Sequence, residues 1–395
     1  MRLMTYLAAL VAVALISASD GGFGAEDVQS IELKVDVGAF RGPGTWPLGA
    51  GVPLPRGEVP SADGLRLRGT KQGVLPVQVT PRTRWPDGSI KWIWVDFQGD
   101  PSDRYFLEMG PSPAPMPEPE PALKVVREGR RIFVDTGRMR ILWDRGFASP
   151  TGVEIEALSR IRDDGHGIYA VDHRGRKGIL GGDGAELSWT IEDAGPIRAV
   201  VRVEGWYVTP DGTRLARAVV RYHLYAGRAF FTMDHTFIFT EDTDRLWFRE
   251  VAVRFPRGAS GRDQARFGVE RGEDVVADIE PAGDEAWIFQ DEYPHFAETR
   301  SHFSVRRLSA GRAETLSEGD VAAGWCEAAD ESGGITVAVK HFAQQFPKEL
   351  HVGPNGVTAR LWSNRGGQEL DYRPATLVKD YYGDWIAGIT RPVPA

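Results

Sequence analysis

Short stretches of alternating apolar and polar residues, each closed by a turn signal, run through almost the whole chain. Ile31–Val37 alternates in this way, and a Gly- and Pro-rich stretch covers Gly42–Pro60. Leu75–Thr80 and Ile90–Phe97 flank Trp85-Pro86-Asp87-Gly88-Ser89. There Pro presets φ and Gly accepts positive φ, so a hairpin is predicted. The same grammar gives strands over Ile132–Asp135, Met139–Trp143, Phe248–Phe255, Glu285–Gln290, Thr336–Phe342 and Val357–Trp362. The strongest hairpin joins Ile197–Val208 to Thr213–Tyr225 through Thr209-Pro210-Asp211-Gly212, and Ala229–Phe239 follows it. No amphipathic period of 3.6 is sustained beyond three turns, and Ala343–Leu350 is the best candidate for a short helix. The pattern therefore predicts an all-β chain: a small N-terminal barrel-like β domain, then a large antiparallel β-sandwich.

The 395-residue length suits about two or three domains. Proline alternates through Gly110–Ala122, a segment that cannot donate regular ladder bonds and reads as an extended linker. It divides an N-terminal unit over 28–109 from a second unit over 123–395. Arg2, the uncharged run Leu7–Ile16 and the small residues Ser17-Ala18-Ser19 read as a signal peptide over 1–19. The expected location is therefore extracellular or periplasmic, with no stable membrane insertion. A net charge of −8 argues against nucleic acid as a partner. The single cysteine, Cys326, cannot form an intramolecular disulfide and reads as a buried small residue.

A two-residue turn at Asp211-Gly212 would pair residues whose numbers sum to a constant. Trp206 then faces Arg217, Arg202 faces Arg221, Val200 faces His223 and Arg198 faces Tyr225, all on one side of the sheet. The other side carries Ala199, Val201, Val203, Ala218, Val220, Tyr222 and Leu224 and is core-like. Arg202, Trp206, Arg217, Arg221, His223 and Tyr225 are thus candidate sugar-binding residues. Guanidinium forks bind carboxylates, and flat rings cover pyranose faces. A solvated outer face is the competing reading, and a one-residue slip inverts the picture.

Trp362 and Arg365 are further binding candidates beside Lys340–Leu350. Tyr293 and His295, in a loop with Asp291 and Glu292, and Lys348 are candidates for proton transfer. Lys348 would need burial to lower its pKa for work as a base. His235 shares a face with Phe231, Met233 and Phe237 and reads as a satisfied core histidine. Trp92 and Trp94 share a face and read as core packing more than as a sugar platform. No zinc, phosphate-loop, dinucleotide or nucleophile-elbow motif is present, so no metal or cofactor is expected.

GVPLPRGEVP with LPVQVTPRTRWPDGSIKWIWVDFQGD resembles the N-terminal RIFT barrel of exo-rhamnogalacturonan lyase-like proteins. RIFVDTGRMRI, VRYHLYAGRAFFTMDHTFIF and VAVKHFAQQFPKEL with ARLW resemble that family's central β-sandwich. The resemblance implies a polysaccharide lyase that eliminates beside a uronate in pectin rhamnogalacturonan. It requires neutralisation of the uronate, a base for the C5 proton and an acid for the leaving oxygen. Family members usually continue into a helical toroid, for which this chain leaves no room after Gly383. The chain is then expected to be a fragment, to bind without cutting, or to work with a separate helical domain. A non-catalytic carbohydrate-binding protein, or a β protein without sugar affinity, is the alternative; a glycoside hydrolase would need paired carboxylates in a cleft.

Overall fold

The computed structural model describes residues 9–10, 29–35, 44–110, 116–155, 158–162, 167–181, 186–257, 263–270, 272–280, 283–292, 301–331 and 333–373. Strands dominate these residues, and the one helical element among them is the short 3-10 turn Ala62–Gly64.

Two four-stranded sheets enclose the N-terminal core. One runs Gln29–Leu33, Tyr105–Met109, Leu65–Gly69, Gly73–Leu75. The other runs Trp46–Pro53, Ile90–Gly99, Val77–Arg84, with Ala9–Leu10 laid parallel beside Leu48–Gly49. Alternation sends Ile93, Val95 and Phe97 inward against Leu48, Ala50, Val52, Leu67 and Leu107. The Gly- and Pro-rich stretch thus carries the strand Trp46–Pro53, which its composition does not announce. Between the barrel and the sandwich, 116–122 form no strand, and Pro121 packs against Gly137.

The sandwich is organised by one twelve-stranded sheet. From one edge its order is Phe231–Ile238, Arg214–Tyr225, Arg198–Val208, Lys177–Leu180, Ile168–Asp172, Phe248–Phe255, Gly356–Trp362, Lys348–Gly353, Glu285–Glu292, His302–Ser309 and Arg312–Gly319. Ser188–Ala194 pairs onto Arg198–Val208 off that path. Two smaller sheets supply the second layer. The strands from Lys124–Glu128 to Leu158–Arg162 bring Ile132, Val134, Ile141 and Trp143 against Val201, Val203, Val220 and Tyr222. Asp263–Gly268 and Trp325–Asp330 bring Phe267, Cys326 and Ala328 against Ile288, Leu350 and Val352. Cys326 is fully buried, and burial pushes its thiol far up, out of nucleophilic range.

The short helix expected at Ala343–Leu350 does not form. Residues 340–345 are turn, and Lys348–Gly353 is a strand that alternates Glu349 and His351 on one face with Leu350 and Val352 on the other. Pro347 lacks the N–H that a continuing helix would need. The central hairpin keeps the expected register from Arg198↔Tyr225 to Tyr207↔Ala216. Its turn is wider than two residues: Val208 pairs with Arg214, and Leu215 is the extra residue of a bulge. Thr209 and Thr213 close the loop, and Gly212 takes φ 82°.

Candidate functional site

The hairpin's outer face holds Arg198, Arg202, Glu204, Trp206, Arg217, Arg221, His223 and Tyr225, because the apolar set of the other parity fills the core. None of the six residues expected to bind sugar is shut into that core. The arginines, however, already hold carboxylates. Arg202 and Arg217 both grip Glu204. Arg221 forks onto Glu192 at 2.7 and 3.0 Å. Glu192 stands on Ser188–Ala194, a strand the sequence reading did not isolate. The Arg221 hydrogen bond holds the Glu192 carboxyl below its usual range and raises the guanidinium in turn. His223 meets Asp234 at 2.9 Å, and that bond lowers the Asp234 carboxyl.

At the turn end the pairing stops. Arg214 lies over the Trp206 ring at 5.1 Å and Arg217 at 5.7 Å. Arg217 is tied to Glu204, but among the described residues no carboxylate pairs with the exposed Arg214. Its role was hidden because the bulge at Leu215 turns it onto the Trp206 side.

At the other end the face runs into the barrel. Arg198 forms an ion pair with Asp96 at 3.0 Å and donates to Asp193 at 2.6 Å, and Arg82 reaches Asp193 at 3.2 Å. Burial raises the Asp96 carboxyl, with Arg198 pulling the other way. Trp94 donates its indole N–H to Asp96 at 2.9 Å. Here the expectation of core packing for Trp92 and Trp94 is overturned. Their neighbours Ile93 and Val95 fill the barrel, so strand parity puts both indoles on its outer wall. Trp92 is 41% exposed. Glycines on the adjacent strand make room for them: a Cβ at Gly51 would stand 2.9 Å from the Trp92 ring, and one at Gly49 3.1 Å from Trp94.

Of the remaining candidates, those among the described residues do not join this face. Tyr293 and His295 lie outside the described residues. Lys348 is buried and donates to the Leu361 carbonyl at 2.8 Å; burial brings its ammonium down to about 8. It shares the core-facing parity of Leu350, so it points away from the outer face. Trp362 packs against the larger core with its indole N–H buried. Arg365 stacks on Trp287 at 3.9 Å and forks onto Glu349. Glu349 also takes Arg360 at 2.6 Å and Ser363 at 2.7 Å, and Arg360 reaches Glu250, which accepts from Tyr169. This second polar network joins four neighbouring strands, so no local sequence pattern reveals it. His235 is satisfied by the Tyr207 hydroxyl at 2.6 Å, as a core histidine should be. Among the described residues no group of His, Cys, Asp and Glu is arranged to hold a metal. No helix among them is long and apolar enough to cross a membrane.

Comparison with known proteins agrees with this architecture. Residues 42–107 match the family model described as the PcRGLX-like N-terminal RIFT barrel domain. Residues 183–263 match the PcRGLX-like protein central beta sandwich domain. The Bacillus subtilis (strain 168) protein named Uncharacterized protein YetA is 22% identical over 393 residues, covering 84% of this chain. The match spans 44% of that relative, so the chain corresponds to about half its length.

Proposed function

We propose that this chain, built on the barrel and sandwich of the rhamnogalacturonan lyase-like PcRGLX family, is a carbohydrate-active β protein that binds acidic polysaccharide at the turn end of its central hairpin. The observation that carries the reading is Trp206 flanked by Arg214 and Arg217. An indole covers the C–H face of a pyranose, and an unpaired guanidinium beside it receives a uronate carboxylate in a fork. Rhamnogalacturonan, which alternates uronate with a neutral sugar, is the polymer the family favours. Secretion through residues 1–19 belongs to the same proposal.

Calorimetry with rhamnogalacturonan oligosaccharides tests it. Wild-type protein should bind, and Trp206→Ala and Arg214→Ala should each weaken binding about tenfold, or about 1.4 kcal/mol. Full affinity in both variants, or no binding by the wild type, would overturn it.

The family domains favour a second reading, β-elimination on the same polymer. Lys348 is a poor base for it at this face, since its ammonium is spent on the Leu361 carbonyl inside the sandwich. The proton-transfer roles then fall to Tyr293 and His295. A rise in ultraviolet absorbance from unsaturated product, abolished by Tyr293→Phe or His295→Ala, would establish this reading; no rise with purified protein would remove it.

A further inference from the structure

We propose that the outer wall of the barrel carries a separate glycan subsite, built on Trp92 and Trp94, that takes the faces of uncharged pyranose rings in a polysaccharide chain. It goes beyond the Arg214 site in domain, in residues and in ligand charge.

Trp92 and Trp94 stand two residues apart on Ile90–Gly99, on the face turned away from the core. Strand geometry separates their Cα atoms by about 7 Å, a spacing that addresses neighbouring rings of one glycan chain. The indoles are held in place. Each lies over a glycine, and the closeness of Gly49 and Gly51 leaves no room for a side chain beneath it. Trp94 is half-buried, bonded to Asp96 and overlain by Arg198 at 5.7 Å, so it backs the platform while Trp92 offers the open ring face. A platform ordered before the ligand arrives loses little entropy on binding.

The rim supplies the groups that sugar hydroxyls need. Thr80 and Thr83 stand opposite Trp94 and Trp92 on the neighbouring strand, and Thr83 is exposed. At the Trp94 end the bordering charges are matched, Arg198 holding Asp96 and Asp193 and Arg82 holding Asp193; at the Trp92 end Arg84 is spent on the Pro60 and Gly88 carbonyls and Lys91 lies over Trp85. A surface with exposed indole, hydroxyls and neutralised charge suits the C–H faces of neutral sugars better than a carboxylate. Leaving an indole 41% in water in the free protein sacrifices burial that a core position would have provided. A glycan laid over it recovers that burial.

Affinity electrophoresis through gels containing a neutral galactan, xylan or glucomannan tests the proposal with the intact chain. Wild-type protein should be retarded by at least one of them, with quenching of tryptophan fluorescence. Trp92→Ala/Trp94→Ala should lose that retardation about tenfold or more, while Arg214→Ala keeps it. Gly51→Val, which retains both indoles but displaces Trp92, should also weaken it. The urea midpoints of Trp92→Ala alone and of Arg214→Ala should match the wild type, whereas the double variant also removes the donor to buried Asp96 and should sit lower, so binding is compared where each variant is folded. Retention of neutral-glycan binding in the double tryptophan variant would overturn the proposal. So would wild-type protein that binds rhamnogalacturonan but no neutral polymer, which leaves the Arg214 site standing. A large fall in the urea midpoint of Trp92→Ala alone would make the exposed indole structural and overturn it as well.

Discussion

Truncating Gln78 to alanine should loosen the barrel from the sandwich. Gln78 stands on the barrel strand Val77–Arg84, 8% exposed, with its carboxamide inserted against the start of Arg198–Val208. Its Oε1 accepts from the Ile197 N–H at 3.1 Å and the Arg198 N–H at 2.9 Å, and its Nε2 donates to the Arg198 carbonyl at 3.1 Å. The side chain therefore acts as a short piece of strand. Gly195 makes this possible, since a Cβ there would lie 2.1 Å from the carboxamide. Alanine strands two N–H groups where water has little access, while the Arg198 carbonyl keeps the Gly195 N–H at 3.2 Å. Each buried polar group left without a partner costs about 1–3 kcal/mol, so the loss is about 2 kcal/mol at the low end. That is a large share of a typical net stability of about 5–15 kcal/mol. Arg198, which carries the Asp96 and Asp193 pairs, is displaced with it. Other ties, Arg82 to Asp193, Gln98 to the Ala226 carbonyl and Arg228 to Gln98 and Thr45, are partly exposed. Urea unfolding followed by tryptophan fluorescence should show the barrel melting ahead of the sandwich in Gln78→Ala. Gln78→Glu keeps the two acceptor bonds but sets a carboxylate oxygen against the Arg198 carbonyl beside buried Asp96, so it should not restore the wild-type midpoint. A single unshifted transition, with a loss below about 1 kcal/mol, would refute the reasoning and mean that solvent already reaches those groups.

Burial holds the His235 imidazole at about 4, against an ordinary 6.5. Its folded pKa lies below the unfolded one, so the unfolded chain takes the proton first. Stability should fall as the pH drops from 6.5 towards 4, by up to about 3 kcal/mol. Urea midpoints across that range should lose this slope in His235→Gln, and parallel curves would count against the assignment. Glu349 is 1% exposed and bound by Arg360, Arg365 and Ser363. Burial works to raise its carboxyl, yet the two guanidiniums outweigh it and hold it below the usual range. Glu349→Gln keeps the shape but leaves Arg365 without a counter-charge and Arg360 with Glu250 alone, at about 3 kcal/mol; a denaturation midpoint near the wild type would contradict this. Binding at Arg214 should weaken as salt rises, because the group is exposed, whereas neutral-glycan binding at Trp92 and Trp94 should not. Calorimetry at low and high ionic strength separates the two.

The hairpin was legible because its two parities differ in kind. Ala199, Val201, Val203, Ala218 and Val220 on one side against Arg202, Arg217 and Arg221 on the other leave one register that buries no charge. Trp92-Ile93-Trp94-Val95 offers no such contrast, since both parities are apolar. What decides between them is Gly49 and Gly51, across a strand whose own Gly and Pro content disguises it. The ion pairs were illegible for a related reason. Glu192 meets Arg221 only because Ser188–Ala194 joins the sheet beside Arg198–Val208, and Glu349 meets Arg360 only through the order of strands remote in sequence. Pairings of that kind follow from topology, which alternation within one strand does not encode. Lys348 shows the same gap in reverse. Its chemistry suited proton transfer, but its parity with Leu350 directs it inward.

The charge pattern also determines which part of the face can discriminate between glycans. The chain carries a net charge of −8, so its long-range field does not draw in an anionic polymer, and screening confines attraction to about 8 Å at physiological salt. Recognition has to be local. Arg202, Arg217 and Arg221 are oriented by Glu204 and Glu192, so a uronate approaching them must break an existing pair to make a new one. That exchange gains little, since partly exposed ion pairs are worth about 0–1 kcal/mol each. Arg214 faces no such exchange, and the ring of Trp206 already positions its guanidinium. On the proposed reading, affinity therefore comes from indole surface, at Trp206 and at Trp92, and a preference for acidic over neutral sugar would come from one cation at the bulge, framed by the paired arginines.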